Sequence, residues 1–257
     1  IAALKKQFEN NPEYDDVMED MEATGTASLS GSFRGFYYGG SYPALNIDLD
    51  ISNGKVHYAD LPEEIKNISA DAAITKSQGE WDLTVIQVRE AHAEIRNNPV
   101  DLSLTLKNPV SDPWFDGTFI GKINFAHLKD ALPLDSVNMS GVVDANLFVK
   151  GNYSSIENEQ YEKISADGIV MLNNYSFQSP DLTQVISVPK GQLDFSPENI
   201  NLSEFEMNIG QSDFQLAGNV SNYLNHYFKD GELQGDFQMN SQYINLTELF
   251  RLQAEEQ

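Results

Sequence analysis

Most of the chain alternates apolar and polar residues with a period of two. Residues 45–52 read Leu-Asn-Ile-Asp-Leu-Asp-Ile-Ser, and residues 102–106 read Leu-Ser-Leu-Thr-Leu. Successive side chains of a β-strand point to opposite faces of the sheet, so each such stretch has one apolar and one solvated face. The alternation recurs at 119–125, 143–149, 214–216 and 233–239. Strands that follow one another without long helices between them predict a mainly β fold of long antiparallel hairpins.

The first 22 residues follow a different pattern. An acidic turn follows Asn11-Pro12, and Val17 and Met21 lie at helical spacing. A cap, an early proline and an acidic first turn are typical of a helix start. We therefore expect residues 1–22 to form an N-terminal helical segment, with further short helices around 128–132 and 246–252.

The chain also contains an internal repeat. Residues 116–123 read DGTFIGKI, and residues 230–237, 114 positions later, read DGELQGDF. Upstream, residues 25–58 parallel residues 141–177, and each stretch reaches a turn signal, Asn53-Gly54 in one and Asn173-Asn174 in the other. A duplicated unit of this length predicts a protein built from two divergent β-rich repeats, which we place at 23–135 and 136–257.

Each copy of the repeat carries a pair of glycines with the parity of the apolar face: Gly117 and Gly121, then Gly231 and Gly235. Glycine inside a strand marks a bend, a bulge or a close backbone approach. We favour a bend of the sheet. Space left above the sheet for a ligand is the alternative.

The apolar parity defines a candidate functional surface. Its members are Leu102, Leu104, Leu106, Phe119, Ile123, Phe125, Leu216, Leu233, Phe237 and Met239. Alternation assigns these residues to one face per strand but does not say what covers that face. Periodicity alone favours an ordinary closed core, and an open apolar groove is the alternative.

Composition excludes several kinds of partner. The formal net charge is −23, with 39 acidic against 16 basic residues. Such a surface repels nucleic-acid backbones, and it argues against a basic patch that docks on anionic lipid head groups. The chain has no cysteine, which excludes disulfides and cysteine-ligated zinc but leaves the compartment open. No apolar run reaches the ~18 residues of a membrane span, and the chain begins at Ile1, so we interpret it as a fragment without its targeting segment or anchor.

The residues that could carry catalysis do not form a recognisable motif. None of the four histidines lies at metal-ligand spacing from another. Asp48 and Asp50 share a strand face and could suggest a glycosidase pair or a calcium loop, but that face is predicted to be solvated and the calcium pattern is incomplete. Trp81 and Trp114 could stack on a sugar, although packing is favoured. We therefore expect a non-enzymatic protein with no cofactor and no metal.

Several segments resemble the AsmA-like family of bacterial envelope proteins. They are residues 58–72 (YADLPEEIKNISADA), 209–218 (IGQSDFQLAG), 230–237 (DGELQGDF) and 243–249 (YINLTEL). The resemblance extends over nearly everything after Ala23. Its motifs are structural, and none is catalytic.

The resemblance implies a fold, a location and a function. The fold is a long, strongly curved antiparallel sheet with an apolar concave face, related to repeating-β-groove proteins that carry lipids between membranes. The location is the periplasm, with the full-length protein anchored in the inner membrane. The implied ligands are lipid acyl chains, the implied role is outer-membrane assembly or lipid transport, and envelope proteins are possible partners. A structural scaffold without lipid carriage and a carbohydrate-binding β-domain are the alternatives.

Overall fold

The structure is a computed structural model that describes residues 21–59, 61–132, 137–180 and 182–250. Strands make up 66% of the described residues and helices 12%, which confirms the predicted mainly β class. The strands of the described residues are β1 (Met21–Arg34), β2 (Ala44–Tyr58), β3 (Glu64–Lys76), β4 (Thr84–Ile95), β5 (Asn98–Lys107), β6 (Trp114–Asn124), β7 (Asn138–Asn152), β8 (Ser165–Gln178), β9 (Ile186–Phe195), β10 (Asn199–Ile209), β11 (Ser212–Ser221) and β12 (Gln234–Asn240).

All twelve strands belong to one open antiparallel sheet in which spatial order follows chain order. Each strand therefore pairs with its sequence neighbours, the simplest result of hairpin connections. The described α-helices are short. Three lie in connections between strands, α1 (Phe125–Lys129), α2 (Tyr153–Glu157) and α3 (Tyr223–Lys229), and α4 (Leu246–Leu249) follows β12. Helices were expected near the positions of α1 and α4, although α1 begins three residues before the expected 128–132.

The chain divides into two compact units. The first contains the described part of Ile1–Phe119 together with Asp130–Leu132 and Lys150–Ser154, and the second contains the remainder. The second unit buries a small apolar core that includes Ile156, Ile164 and Leu224. There Tyr223 donates to the Ser196 carbonyl oxygen at 2.7 Å, and burial raises the pKa of Tyr223 to about 12.

The predicted hairpin turn at Asn53-Gly54 is wrong. β2 continues through these residues, which form a β-bulge at which Asn53 has a φ of 51°. The pairing with β1 shifts here, from Ala27 opposite Ile51 to Ala23 opposite Val56. Ile51 and Val56 have opposite parity, so the extra residue of the bulge places both on the same face of the sheet.

The second unit also carries an asparagine with positive φ inside a strand. Asn174 lies inside β8 with a φ of 47°, so the predicted turn at Asn173-Asn174 is also wrong. In each unit a glycine of the preceding strand lies against the segment that holds this asparagine. A Cβ on Gly25 would lie 2.7 Å from the Gly54 Cα, and a Cβ on Gly141 would lie 2.2 Å from the Asn174 carbonyl oxygen.

The expected N-terminal helix and the two expected repeats concern the ends and the halves of the chain. The N-terminal helix falls on residues 1–20, outside the described residues, while Met21 and Glu22 already belong to β1. The two repeats at 23–135 and 136–257 stay a prediction. The segment with Gly117 and Gly121 lies in the sixth strand, and the segment with Gly235 lies in the twelfth.

Gly25 is the position at which a side chain should cost most. We expect Gly25→Ala to lower the free energy of unfolding by about 1–3 kcal/mol, because φ is +128° and Gly54 blocks the Cβ. Gly31→Ala on the same strand is the matched control, since its Cβ would meet nothing nearer than 3.6 Å. Urea unfolding followed by circular dichroism measures both variants, and equal losses would contradict the bulge contact.

Candidate functional site: the apolar sheet faces

The first unit carries rows of apolar side chains that run across five strands. Residues paired directly across antiparallel strands project from the same face. One row is Leu29, Leu49, Ala72, Val88 and Leu104. The rows on either side are Gly31, Ile47, Ile74, Ile86 and Leu106, and Ala27, Ile51, Ala70, Ala91 and Leu102.

These rows are not sealed inside a core. Leu29 is 68% exposed, Leu102 43% and Leu104 36%, and every other member of the three rows is at least partly accessible. A closed core would bury such side chains almost completely. Within the described residues, the first unit therefore presents an apolar face that is at least partly accessible along all three rows.

The opposite face of the first unit is acidic and solvated. Asp48 and Asp50 lie there, as their parity predicts, beside Asp71 of β3. Arg89 forms ion pairs with Asp71 and, at 3.5 Å, with Asp48. Ion pairs this exposed contribute little to stability. The arrangement puts charge on one face and apolar surface on the other, so the two faces differ sharply in what they can contact.

The second unit repeats the arrangement on β8 to β12. One row is Val170, Leu193, Leu202, Gly218 and Phe237. A second begins with the pair Leu172 and Gly191 and continues, across an irregularity in the pairing of β9 with β10, with Phe205, Leu216 and Met239. Phe237 is 49% exposed and Met239 is 53% exposed. Val188 and Phe214, by contrast, are buried, so this unit has both a small core and an accessible apolar area.

Aromatic rings fill the places that two of the glycines leave open. A Cβ on Gly191 would lie 2.8 Å from Cδ2 of Phe205, and a Cβ on Gly235 would lie 2.5 Å from Cε2 of Phe237. An aromatic ring that lies over a strand glycine shields the backbone. Ligand space above Gly235 is therefore excluded, because the ring of Phe237 occupies it.

Six of the ten candidate residues lie on the apolar faces just described: Leu102, Leu104 and Leu106 in the first unit, and Leu216, Phe237 and Met239 in the second. Phe119 and Ile123 are half-buried members of β6. Phe125 is not in a strand. It begins α1, and its ring packs edge-on against Tyr175 with 5.4 Å between centroids. Leu233, like Gly231, precedes β12 and is not part of the strand pattern.

The candidate set omitted the central strands. Ile47 and Leu49 on β2 show the same alternation, and Ile74 and Ile86 continue their rows on β3 and β4. Alternation along β2 was visible in the sequence. The membership of Ile74 and Ile86 depended on register across bulges, which alternation along one strand does not reveal.

His92 has a polar environment that differs from the apolar faces. His92 lies among polar groups, with Nδ1 2.7 Å from an oxygen of Asp101 and Nε2 3.3 Å from Glu94. Its pKa is raised, mainly by the hydrogen bond to Asp101. Among the described residues, no group of three or more His, Cys, Asp or Glu side chains could hold a metal ion.

Comparison with protein-family models, with curated proteins and with solved structures finds no match for this chain. In the described part of the chain, no helix has both the length and the apolar character needed to cross a membrane. The geometry of the two apolar faces is therefore the main guide to function.

His92 makes a pH-dependent contribution to stability. A pKa raised in the folded state means that folding favours the protonated ring, so the contribution is full below the ordinary value of 6.5 and is lost as pH rises through the raised value. We expect His92→Gln to destabilise the protein at low pH and to converge with the parent at high pH. Urea midpoints measured across pH test this. His226→Gln is the control, because the Nδ1 of His226 lies 2.7 Å from a backbone carbonyl oxygen, that of Gly231, where His92 contacts carboxylates. A pH-independent difference would contradict the Asp101 contact as its cause.

Proposed function

We propose that this chain is a non-enzymatic, AsmA-like periplasmic module that shelters lipid acyl chains on the apolar faces of its sheet. Its role would be to support lipid transport or outer-membrane assembly from an inner-membrane anchor. The observation that carries the proposal is the set of unbroken apolar rows that stay accessible to solvent. The resemblance to the AsmA-like family supports the same conclusion from the sequence.

The size of the hydrophobic effect shows what such a face can do. Removing an acyl chain from water is worth roughly 0.8 kcal/mol per methylene, so ten sheltered methylenes would gain about 8 kcal/mol. A bilayer is equally apolar, so transfer from a bilayer to the protein is close to neutral. The face would therefore act by lowering the barrier to crossing water and would not hold lipid tightly.

The two faces of the sheet in the first unit differ in polarity, and this difference supports the proposal. Acidic residues such as Asp48 and Asp50 keep one face hydrated. Leu49 and Leu104, in register on the other face, offer hydrocarbon contact without a charged group in their row. An acyl chain lying across this row would meet only aliphatic side chains.

An interaction scaffold is the second candidate function. It is favoured by β1, which lies at the edge of the sheet formed by the described strands and is exposed along nearly its whole length. Edge strands present unpaired backbone groups and are usually protected by lysine or proline, and β1 has neither. A partner strand could add to this edge whether or not the apolar face carries lipid.

A charge placed in the apolar row should block lipid uptake. We expect Leu104→Glu to reduce uptake of a fluorescent phospholipid by about tenfold or more, because the carboxylate would be unpaired among acyl chains. Ser103→Glu, one position away on the polar face, adds the same charge to the same strand and should leave uptake unchanged. Circular dichroism establishes first that both variants fold.

The second unit allows an independent trial. We expect Phe237→Glu to reduce uptake while Gln238→Glu, its neighbour in β12, does not, since paired residues place Phe237 in the apolar row and Gln238 opposite Ala217. If folded apolar-face variants carry lipid as well as the parent does, or if the parent carries none, the results would contradict acyl-chain sheltering and favour the interaction scaffold.

A further inference from the structure

One end of the first unit carries a cluster of exposed apolar side chains, which we name the aromatic tip. It consists of Phe33, Phe36, Tyr37, Tyr38, Trp81 and Leu83. Exposure is 79% for Phe36, 85% for Tyr38 and 47% for Trp81. Contiguous exposed apolar groups of this kind mark interaction sites in proteins.

The tip is a built structure that joins two hairpin connections. Tyr42 and Gly79 exchange backbone hydrogen bonds of 2.8 and 3.0 Å, which link the β1–β2 connection to the β3–β4 connection. Lys76 is only 3% exposed, and its Nζ donates to the carbonyl oxygens of Tyr42, Ser77 and Gly79 at 3.0–3.2 Å. Buried charge satisfied in this way fixes the two connections together.

Ring contacts extend the same framework. The Tyr42 ring centroid lies 5.2 Å from that of Tyr37 and 5.0 Å from that of Trp81, distances typical of favourable aromatic pairs. Beyond them, Gly39 and Gly40 form the apex of the β1–β2 connection. A Cβ on either glycine would meet no atom within 4 Å, so the apex projects into open solvent.

The charge near the tip differs from that of the rest of the chain. Residues 23–47 contain one charged side chain, Arg34, in a protein with a net charge of −23. Asp82 lies close to Trp81 in sequence, but its carboxylate accepts hydrogen bonds from the Val110 and Ser111 amides at 3.1 and 2.9 Å. Glu80 is the exposed carboxylate of the β3–β4 connection. The tip is thus a place where this acidic protein can approach an anionic surface with little repulsion.

We propose that the aromatic tip docks the protein on a lipid bilayer by inserting into the head-group interface. Tyrosine and tryptophan are enriched at that interface because their rings combine an apolar body with a polar edge. Phe36 supplies a fully apolar ring, and neighbouring Arg34 can remain among the head groups. This docking goes beyond the proposed function, because it holds whether or not the sheet faces carry acyl chains.

Vesicle flotation tests the docking. The parent should float with phosphatidylcholine vesicles, and binding should persist in high salt, because apolar insertion is not screened. We expect Phe36→Ser with Tyr38→Ser to lower the partition coefficient by about tenfold or more, since burial of even one of the two rings is worth about tenfold. Tyr227→Ser is the matched control, a tyrosine that is 80% exposed on α3.

Tryptophan fluorescence locates the contact. The chain has two tryptophans, so Trp114→Phe leaves Trp81 as the single reporter. On vesicle addition, Trp81 emission should shift to the blue and be quenched by lipids brominated near the head group. An unchanged Trp81 spectrum, flotation of the double variant equal to that of the parent, or loss of binding in high salt would each overturn the proposal.

A separate assay distinguishes docking from acyl-chain sheltering. Uptake of a fluorescent fatty acid from water requires no bilayer, so the double variant should match the parent in this assay. If the double variant also loses uptake, the tip is part of the sheltering face and the docking proposal is wrong. If the parent docks on vesicles but takes up no fatty acid, docking stands and the proposed lipid carriage fails.

Discussion

The whole arrangement depends on the register between neighbouring strands. Side chains alternate faces with a period of two, so a slip of one residue would move a complete strand's apolar set to the acidic face. In the first unit, Leu29, Leu49 and Leu104 fall in one row because four successive pairings keep this register. The bulge at Asn53-Gly54 serves the same end, since it returns apolar residues of opposite parity to the same face.

This constraint explains why the first unit can be folded and yet have an exposed apolar face. The strands are long, so backbone hydrogen bonds and cross-strand contacts between them support the described part of the sheet. In this arrangement hydrocarbon side chains such as Leu29 and Leu102 remain exposed to solvent, which is unfavourable. A molecule that covers this hydrocarbon would gain free energy, and an acyl chain has the required chemistry.

The sequence predicted which residues of a single strand share a face. It did not predict the bulges at which the apolar residues change from odd to even positions. Alternation in 45–51 and 102–106 identified strands and their apolar faces correctly. The turn signals at Asn53-Gly54 and Asn173-Asn174 were misread, because an asparagine with positive φ suits a bulge as well as a hairpin turn. A usable signal was present: the apolar parity switches between Ile51 and Val56, which a bulge explains and a turn does not require.

The aromatic tip lay outside what periodicity can detect. Phe36, Tyr37 and Tyr38 are consecutive and so fit neither a strand nor a helix pattern, and Trp81 joins them only through the contact between two connections. The same holds for Phe125, whose parity continued from β6 although the chain had already entered α1. In each case contacts between distant parts of the chain determine the environment of the side chain, and the local sequence pattern does not reveal such contacts.

The most direct test of the central claim is to map where an acyl chain lies on the protein. A phospholipid with a photoreactive diazirine in its acyl chain would be bound, irradiated and located by peptide mass spectrometry. Acyl-chain sheltering predicts crosslinks to apolar-row residues such as Leu49, Val88 and Leu104. Crosslinks confined to the acidic face, spread evenly over both faces, or absent would contradict it.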